Sequence, residues 1–204
     1  FIGVTSHNLA MAVKLVKTDI FATVQFPFNF IEDEPKNELH REARKRGLGI
    51  LAMKPFAGGV IDNAKIAIKF LRQHPDIIPL PGFDSIASVD EIVSFYEREN
   101  RVTKKDRELM DKYRIELGKE FCHRCEYCQP CPHGVMITPA MAYKVIASRM
   151  SPAGAVEFSR VMMESVILCE DCGECEERCP YELPVQEMLK ANYDLYERHR
   201  AGLK

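Results

Sequence analysis

Eight cysteines, all between Cys122 and Cys179, constrain this chain more than any other feature. The later four stand in the run Cys169-Glu-Asp-Cys172-Gly-Glu-Cys175-Glu-Glu-Arg-Cys179-Pro180. Three thiolates at three-residue intervals on one tight loop reach three corners of an iron–sulfur cubane. The fourth corner must be met from elsewhere in the chain. The proline after the last cysteine turns the backbone away.

That spacing is C-x₂-C-x₂-C-x₃-C-P, the bacterial ferredoxin pattern, in which the fourth cysteine of each run ligates the other cluster. The earlier run is Cys122-His-Arg-Cys125-Glu-Tyr-Cys128-Gln-Pro-Cys131-Pro132, with a last gap one residue shorter but the same Cys-Pro ending. Crossed pairing assigns Cys122, Cys125, Cys128 and Cys179 to one [4Fe–4S] cluster. Cys169, Cys172, Cys175 and Cys131 take the other. Two structural zinc sites built from C-x₂-C pairs are the rival reading. Three evenly spaced thiolates per loop and the Cys-Pro endings favour iron–sulfur. A disulfide framework fits poorly, because the first 121 residues lack cysteine and have the composition to build their own core. His123 and His133 are surplus to a full set of eight thiolates and read as neighbours of the ligands.

The remainder is ordinary for a globular protein, 46% hydrophobic and 28% charged. A net charge of −2 gives no general attraction to nucleic acid or anionic membranes. No apolar run reaches the roughly 18–20 residues of a spanning helix. Reduced thiols and the lack of an export signal lead us to expect a cytoplasmic protein. The chain opens Phe1-Ile2-Gly3-Val4-Thr5-Ser6, without an initiator Met and already in a strand pattern. It is therefore expected to be the later part of a longer protein.

Residues 1–98 alternate short apolar runs with helical periodicity. Strands are expected at Phe1–Val4, Ile20–Phe26, Gly47–Met53 and Ile77–Leu80. Helices are expected over Asn8–Val16, Lys36–Arg46 and Ala64–Arg72, and from a cap at Ser85 to Tyr96. Such alternation implies an α/β fold with a parallel sheet and helical crossovers. The units suit half of a (β/α)₈ barrel, which needs about 250 residues in full. An open doubly wound sheet is also compatible with the pattern, although no Gly-x-Gly-x-x-Gly loop follows any strand. Residues 99–121, with a helix from Thr103 to Gly118, read as a charged connector. Residues 122–204 read as a helical ferredoxin-type domain. Its helices start at Thr138-Pro139, at Ser151-Pro152 and after Pro184, the last with Val185, Met188, Leu189 and Tyr193 on one side.

Ile2-Gly3-Val4-Thr5-Ser6-His7-Asn8, the strand bearing Gln25, Gly47-Leu-Gly-Ile-Leu-Ala-Met-Lys-Pro-Phe56 and Ile78-Pro-Leu-Pro-Gly82 resemble, in order and spacing, strands five to eight of an aldo/keto reductase barrel. The whole chain is similar to the C-terminal half of aldo/keto reductases that carry a C-terminal ferredoxin domain. The resemblance implies an NAD(P) cofactor over the carboxyl rim of the barrel and a small carbonyl or alcohol substrate. It implies that Thr5, Ser6 and Gln25 hold the nicotinamide, with Lys54 at the same rim. It places Gly82 and Ser85 at the cofactor phosphates and Glu91 near the adenine. The family's catalytic Asp, Tyr, Lys and His belong to earlier strands, so this stretch alone is not expected to reduce a carbonyl. Each polar residue also has a plainer use. Thr5 and Ser6 can cap a helix, Gln25 can satisfy backbone groups, and Lys54 can form a surface ion pair. The expected function is that of an iron–sulfur oxidoreductase with a possible redox partner protein. The alternative is an electron-transfer module without catalysis of its own.

Overall fold

A computed structural model of the chain describes residues 1–117 and 121–202. The chain divides into two compact units, Phe1–Lys119 and Glu120–Lys204.

The first unit is built on four short strands: β1 (Gly3–Thr5), β2 (Thr23–Pro27), β3 (Gly49–Met53) and β4 (Ile77–Pro79). All neighbours are parallel, and the spatial order is the chain order. Between and after them lie α1 (Leu9–Val16), α2 (Leu39–Lys45), α3 (Ala64–Leu71) and α4 (Ile86–Tyr96). Right-handed crossovers between strands laid down in chain order put the crossover helices α1, α2 and α3 on one face of the sheet. Burial follows that rule. Val24, Phe26, Ile50, Ala52 and Ile77 share the covered face and are buried. Thr5, Thr23, Gln25, Leu51 and Ile78 share the other face, where Ile78 is 60% exposed. A doubly wound sheet reverses its strand order and covers both faces; this four-stranded sheet does neither.

The open face carries a close approach between strands. Gly3, Thr23 and Gly49 lie side by side in register. A Cβ on Gly3 would fall 2.2 Å from Thr23 Oγ1, so a larger residue there would force the Thr23 side chain to move.

Helix starts follow capping chemistry. The side chains of Asn8, Asn63, Ser85 and Ser151 each accept a backbone N–H of the first turn. The helix expected to act as a connector, α5 (Lys104–Leu117), belongs to the first unit. Thr103 and Asp106 cap it reciprocally: Asp106 Oδ2 accepts Thr103 N at 2.8 Å, and Thr103 Oγ1 accepts Asp106 N at 3.2 Å. Arg114 Nε donates to Phe30 O at 2.7 Å, and Lys69 pairs with Asp106 at 2.7 Å. Gly118, the expected end of this helix, lies outside the described residues.

The regular secondary structure of the second unit is helical among its described residues, with both cysteine loops largely irregular. It contains α6 (Ile137–Met141), α7 (Tyr143–Ala147), α8 (Pro152–Glu164), α9 (Glu174–Glu177) and α10 (Val185–Arg200). Its core gathers Ile137, Ala140, Tyr143, Ala155, Met163, Leu189 and Tyr196, and the same apolar cluster includes Cys128 and Cys175. Tyr143 and Tyr196 meet edge-on at 5.6 Å, and the Tyr143 hydroxyl stands 2.9 Å from His199 Nδ1. One expected cap is corrected. Helix α6 begins at Ile137, before Thr138, and the Thr138 hydroxyl stands 3.9 Å from Cys128 Sγ instead.

Candidate metal centre

The two cysteine loops are copies of one another at the backbone. In the first, Arg124 and Glu126 flank Cys125 with φ of 51° and 65°. In the second, Asp171 and Gly173 flank Cys172 with φ of 52° and 83°. A left-handed residue on each side of the middle cysteine curls the loop tightly, and L-residues pay for that conformation with strain. The sequence shows this requirement only at Gly173; the other three positions give no compositional sign of it.

Each curled loop walls one cavity. Cys122, Cys125 and Cys128 line the first, together with Cys179 from the second loop. Cys169, Cys172 and Cys175 line the second, together with Cys131 from the first loop. The thiols are thus sorted three-plus-one in both directions. The two cavities are similar in size. Among the described residues, no three His, Cys, Asp or Glu side chains form a group able to hold a single metal ion. The thiols stand around spaces rather than about a point.

Burial pushes the thiols of Cys122 and Cys128 above their ordinary range and that of Cys175 up to about 11. At Cys122, the nearby Cys128, Cys125 and Cys179 act in the same direction, as expected of members of one set. Without metal these three thiols are protonated at neutral pH, and ligation displaces their protons.

The irregular gap before Cys131 has a local explanation. In the second loop the chain reaches Cys179 by way of α9, a single helical turn, which takes three intervening residues. In the first loop a turn replaces that helix. Gln129 N donates to Glu126 O at 2.9 Å, and Gln129 Oε1 accepts Cys131 N at 3.0 Å. Two residues suffice, and Cys131 still lines the opposite cavity.

Several side chains beside the cysteines complete the picture. Arg178, unremarked in the sequence, donates to Pro130 O at 3.2 Å and to Glu174 O at 3.0 Å, and lines the second cavity. It ties the end of one loop to the end of the other and brings a cation to the wall of the second cavity. Lys190 pairs with Asp171 at 2.8 Å beside Cys172 and holds the Asp171 carboxyl below its usual range. His133 stands 3.6 Å from Glu170. His123 is 3% exposed and stacks on Tyr181, with ring centroids 3.6 Å apart and planes 9° apart.

In the first unit, Thr5 and Gln25 lie opposite one another near the carboxyl ends of β1 and β2. Ser6 is buried, and its hydroxyl donates to Asn8 O and accepts Asn8 N, closing the turn into α1. Lys54, just past β3, has φ of 52° and its Nζ lies 2.9 Å from His7 Nε2. Buried Asn29 fixes the Lys54 carbonyl from the other side at 3.1 Å. Thr5, Ser6, Gln25 and Lys54 therefore sit at the carboxyl edge of the sheet. Gly82 follows β4, Ser85 caps α4 by accepting Ser88 N at 3.2 Å, and Glu91 is exposed on α4.

No curated protein sequence matches the chain. The model of a family described as the 4Fe-4S dicluster domain matches residues 121–183, which span both cysteine loops and the helices between them. Residues 121–183 are thus similar to a 4Fe-4S dicluster domain.

Proposed function

We propose that the second unit holds two [4Fe–4S] clusters and carries single electrons. One cluster belongs to Cys122, Cys125, Cys128 and Cys179, and the other to Cys131, Cys169, Cys172 and Cys175. The observation that carries this reading is the three-plus-one sorting of the thiols around two cavities of similar size. When bound, each cluster supplies a one-electron store. The chain presents the thiols on preformed curls, keeps Cys128 and Cys175 away from water, and offsets negative charge with Arg178. Anaerobic reconstitution tests the reading. About eight iron atoms and eight sulfides per chain are expected, with visible absorption that bleaches on reduction. A colourless protein that binds zinc in their place would refute it.

The first unit is proposed to be the later half of an aldo/keto reductase-type barrel. The parent protein would be an oxidoreductase acting on a small carbonyl or alcohol with NAD(P). Support comes from the strand order, the crossover helices on one face, and the placement of Thr5, Gln25 and Lys54 at the carboxyl edge, where barrel enzymes bind their ligands. A hydride carries two electrons and a cluster takes one, so coupling the two chemistries calls for an intermediary such as a flavin. Reading the coding sequence upstream of Phe1 is the test. In-frame Asp, Tyr, Lys and His at barrel spacing support the enzyme. A stop codon immediately before Phe1 leaves the electron-transfer module, with the first unit as its scaffold.

A further inference from the structure

The first cavity has an aromatic wall. His123 sits between Cys122 and Cys125 in the chain, and Tyr181 follows Cys179 by two residues. Both rings line the cavity and lie face to face, with Phe121 adding a third ring at 4.3 Å from His123. Between Cys179 and Tyr181 stands Pro180, also in the lining. Its ring fixes its own φ and restricts the residue before it. With the turn closed by Glu182 N donating to Cys179 O at 3.2 Å, the backbone between Cys179 and Tyr181 has little freedom, so holding the Tyr181 ring restricts the Cys179 thiol. The second cavity is built otherwise. Its crossing ligand, Cys131, is held by the Gln129 side chain and by the polar tie from Arg178 to Pro130.

We propose that the His123–Tyr181 stack is a positioning device: it holds Cys179, the thiol contributed across from the second loop, in the cavity of the first loop, and so sets the potential and lifetime of that cluster alone. The inference rests on the two-cluster reading above. Two consequences follow from the geometry. The stack keeps the crossing ligand in place without a covalent link, so its loss lets Cys179 leave. It also excludes water on that side. Reduction adds negative charge, which water stabilises, so opening the wall favours the reduced form and raises the potential.

The test uses the full chain, reconstituted anaerobically, as wild type, Tyr181→Ala, Tyr181→Phe and His123→Leu. Redox titration followed by electron paramagnetic resonance should show one of the two potentials rising in Tyr181→Ala and His123→Leu. A tenfold change in the oxidised-to-reduced ratio corresponds to about 59 mV for one electron. The other potential should stay in place, which also reports that the unit is folded. Under a chelator, the iron of one cluster should leave about tenfold faster, the scale on which groups supporting metal ligands act. Tyr181→Phe, which keeps the stacking face, should restore both. In the metal-free chain, iodoacetamide should modify Cys179 several-fold faster in Tyr181→Ala than in wild type, with Cys131 unchanged. Both potentials moving together, neither moving, or Tyr181→Phe behaving as Tyr181→Ala would overturn the proposal. A wild-type chain that takes up no iron and sulfide would sink the two-cluster reading instead. Unchanged Cys179 alkylation would then still overturn the positioning role.

Discussion

At the level of single residues, the cysteines and their immediate neighbours divide the work. The thiols furnish donors, and the left-handed residues around Cys125 and Cys172 aim them. Glycine takes that conformation without the Cβ penalty, which is about 1–2 kcal/mol for other L-residues. Gly173→Ala is therefore expected to destabilise the second unit by about 1–2 kcal/mol in urea titration. Glu126→Gly removes that strain and adds unfolded-chain entropy of about 0.5–1 kcal/mol, so a net stabilisation of up to about 1 kcal/mol is expected. Equal losses from the two substitutions would contradict the equivalence of the loops. The crossed sets make a second prediction. Cys179→Ser should strip the cluster of Cys122, Cys125 and Cys128, and Cys131→Ser the cluster of Cys169, Cys172 and Cys175. Iron analysis with electron paramagnetic resonance would read the two signals separately. Loss of the signal belonging to the substituted residue's own loop would sink the crossing. The run spacing already pointed to the crossing, whereas the strained conformation at Glu126 left no trace in composition.

Helices and loops show where local signals suffice. Asn8, Ser85 and Ser151 announce their helices because a short polar side chain satisfies the first-turn N–H groups. Thr138 carries a similar signal, yet α6 starts one residue earlier and the hydroxyl turns toward Cys128. A cap signal is a local preference, and packing around a cysteine outweighs it. Helix α9 illustrates the opposite case. Four residues long, it leaves no periodicity to detect, yet it sets the chain length to Cys179 and presents Arg178. Arg178→Gln should lose the tie to Pro130 and much of the charge compensation at the second cavity. Iron bound by Cys131 and its partners is expected to exchange about tenfold faster, with the first site unaffected. Chelator kinetics on the reconstituted chain check this, and equal loss at both sites would count against it.

Across the molecule, the two units owe their stability to different interiors. The second is closed by α10 over a tyrosine- and methionine-bearing core that also seats two thiols. The first buries His40 against an aromatic ring, 4.6 Å from Phe28, with neither ring nitrogen hydrogen-bonded among the described residues. Burial, aided by Arg44 and His74, lowers its pKa from 6.5 to about 4. Between those values the unfolded chain binds the proton and the folded one does not. Stability of the first unit is thus full above pH 6.5 and falls as the pH drops toward 4, by about 3 kcal/mol from this residue. His74, lowered chiefly by burial, adds in the same direction. His40→Leu should flatten this dependence, as followed by hydrogen exchange of the α2 amides in urea at pH 4.5 and 7. An unchanged profile would rule His40 out as its source.

Cysteine spacing, apolar periodicity and capping residues were enough to read a parallel α/β unit followed by a helical, cysteine-bearing one, because these signals act over a few neighbouring residues. Long-range placement escaped such reading. That α5 packs on the sheet unit depends on Arg114 meeting Phe30 and Lys69 meeting Asp106, contacts between distant positions. That the sheet is singly wound depends on the order in which equivalent strands pair. That His123, surplus by its spacing, becomes a buried ring against Tyr181 depends on two loops folding toward each other. Local chemistry sets which elements form and which atoms can ligate. Packing between residues far apart in the chain sets which of them meet.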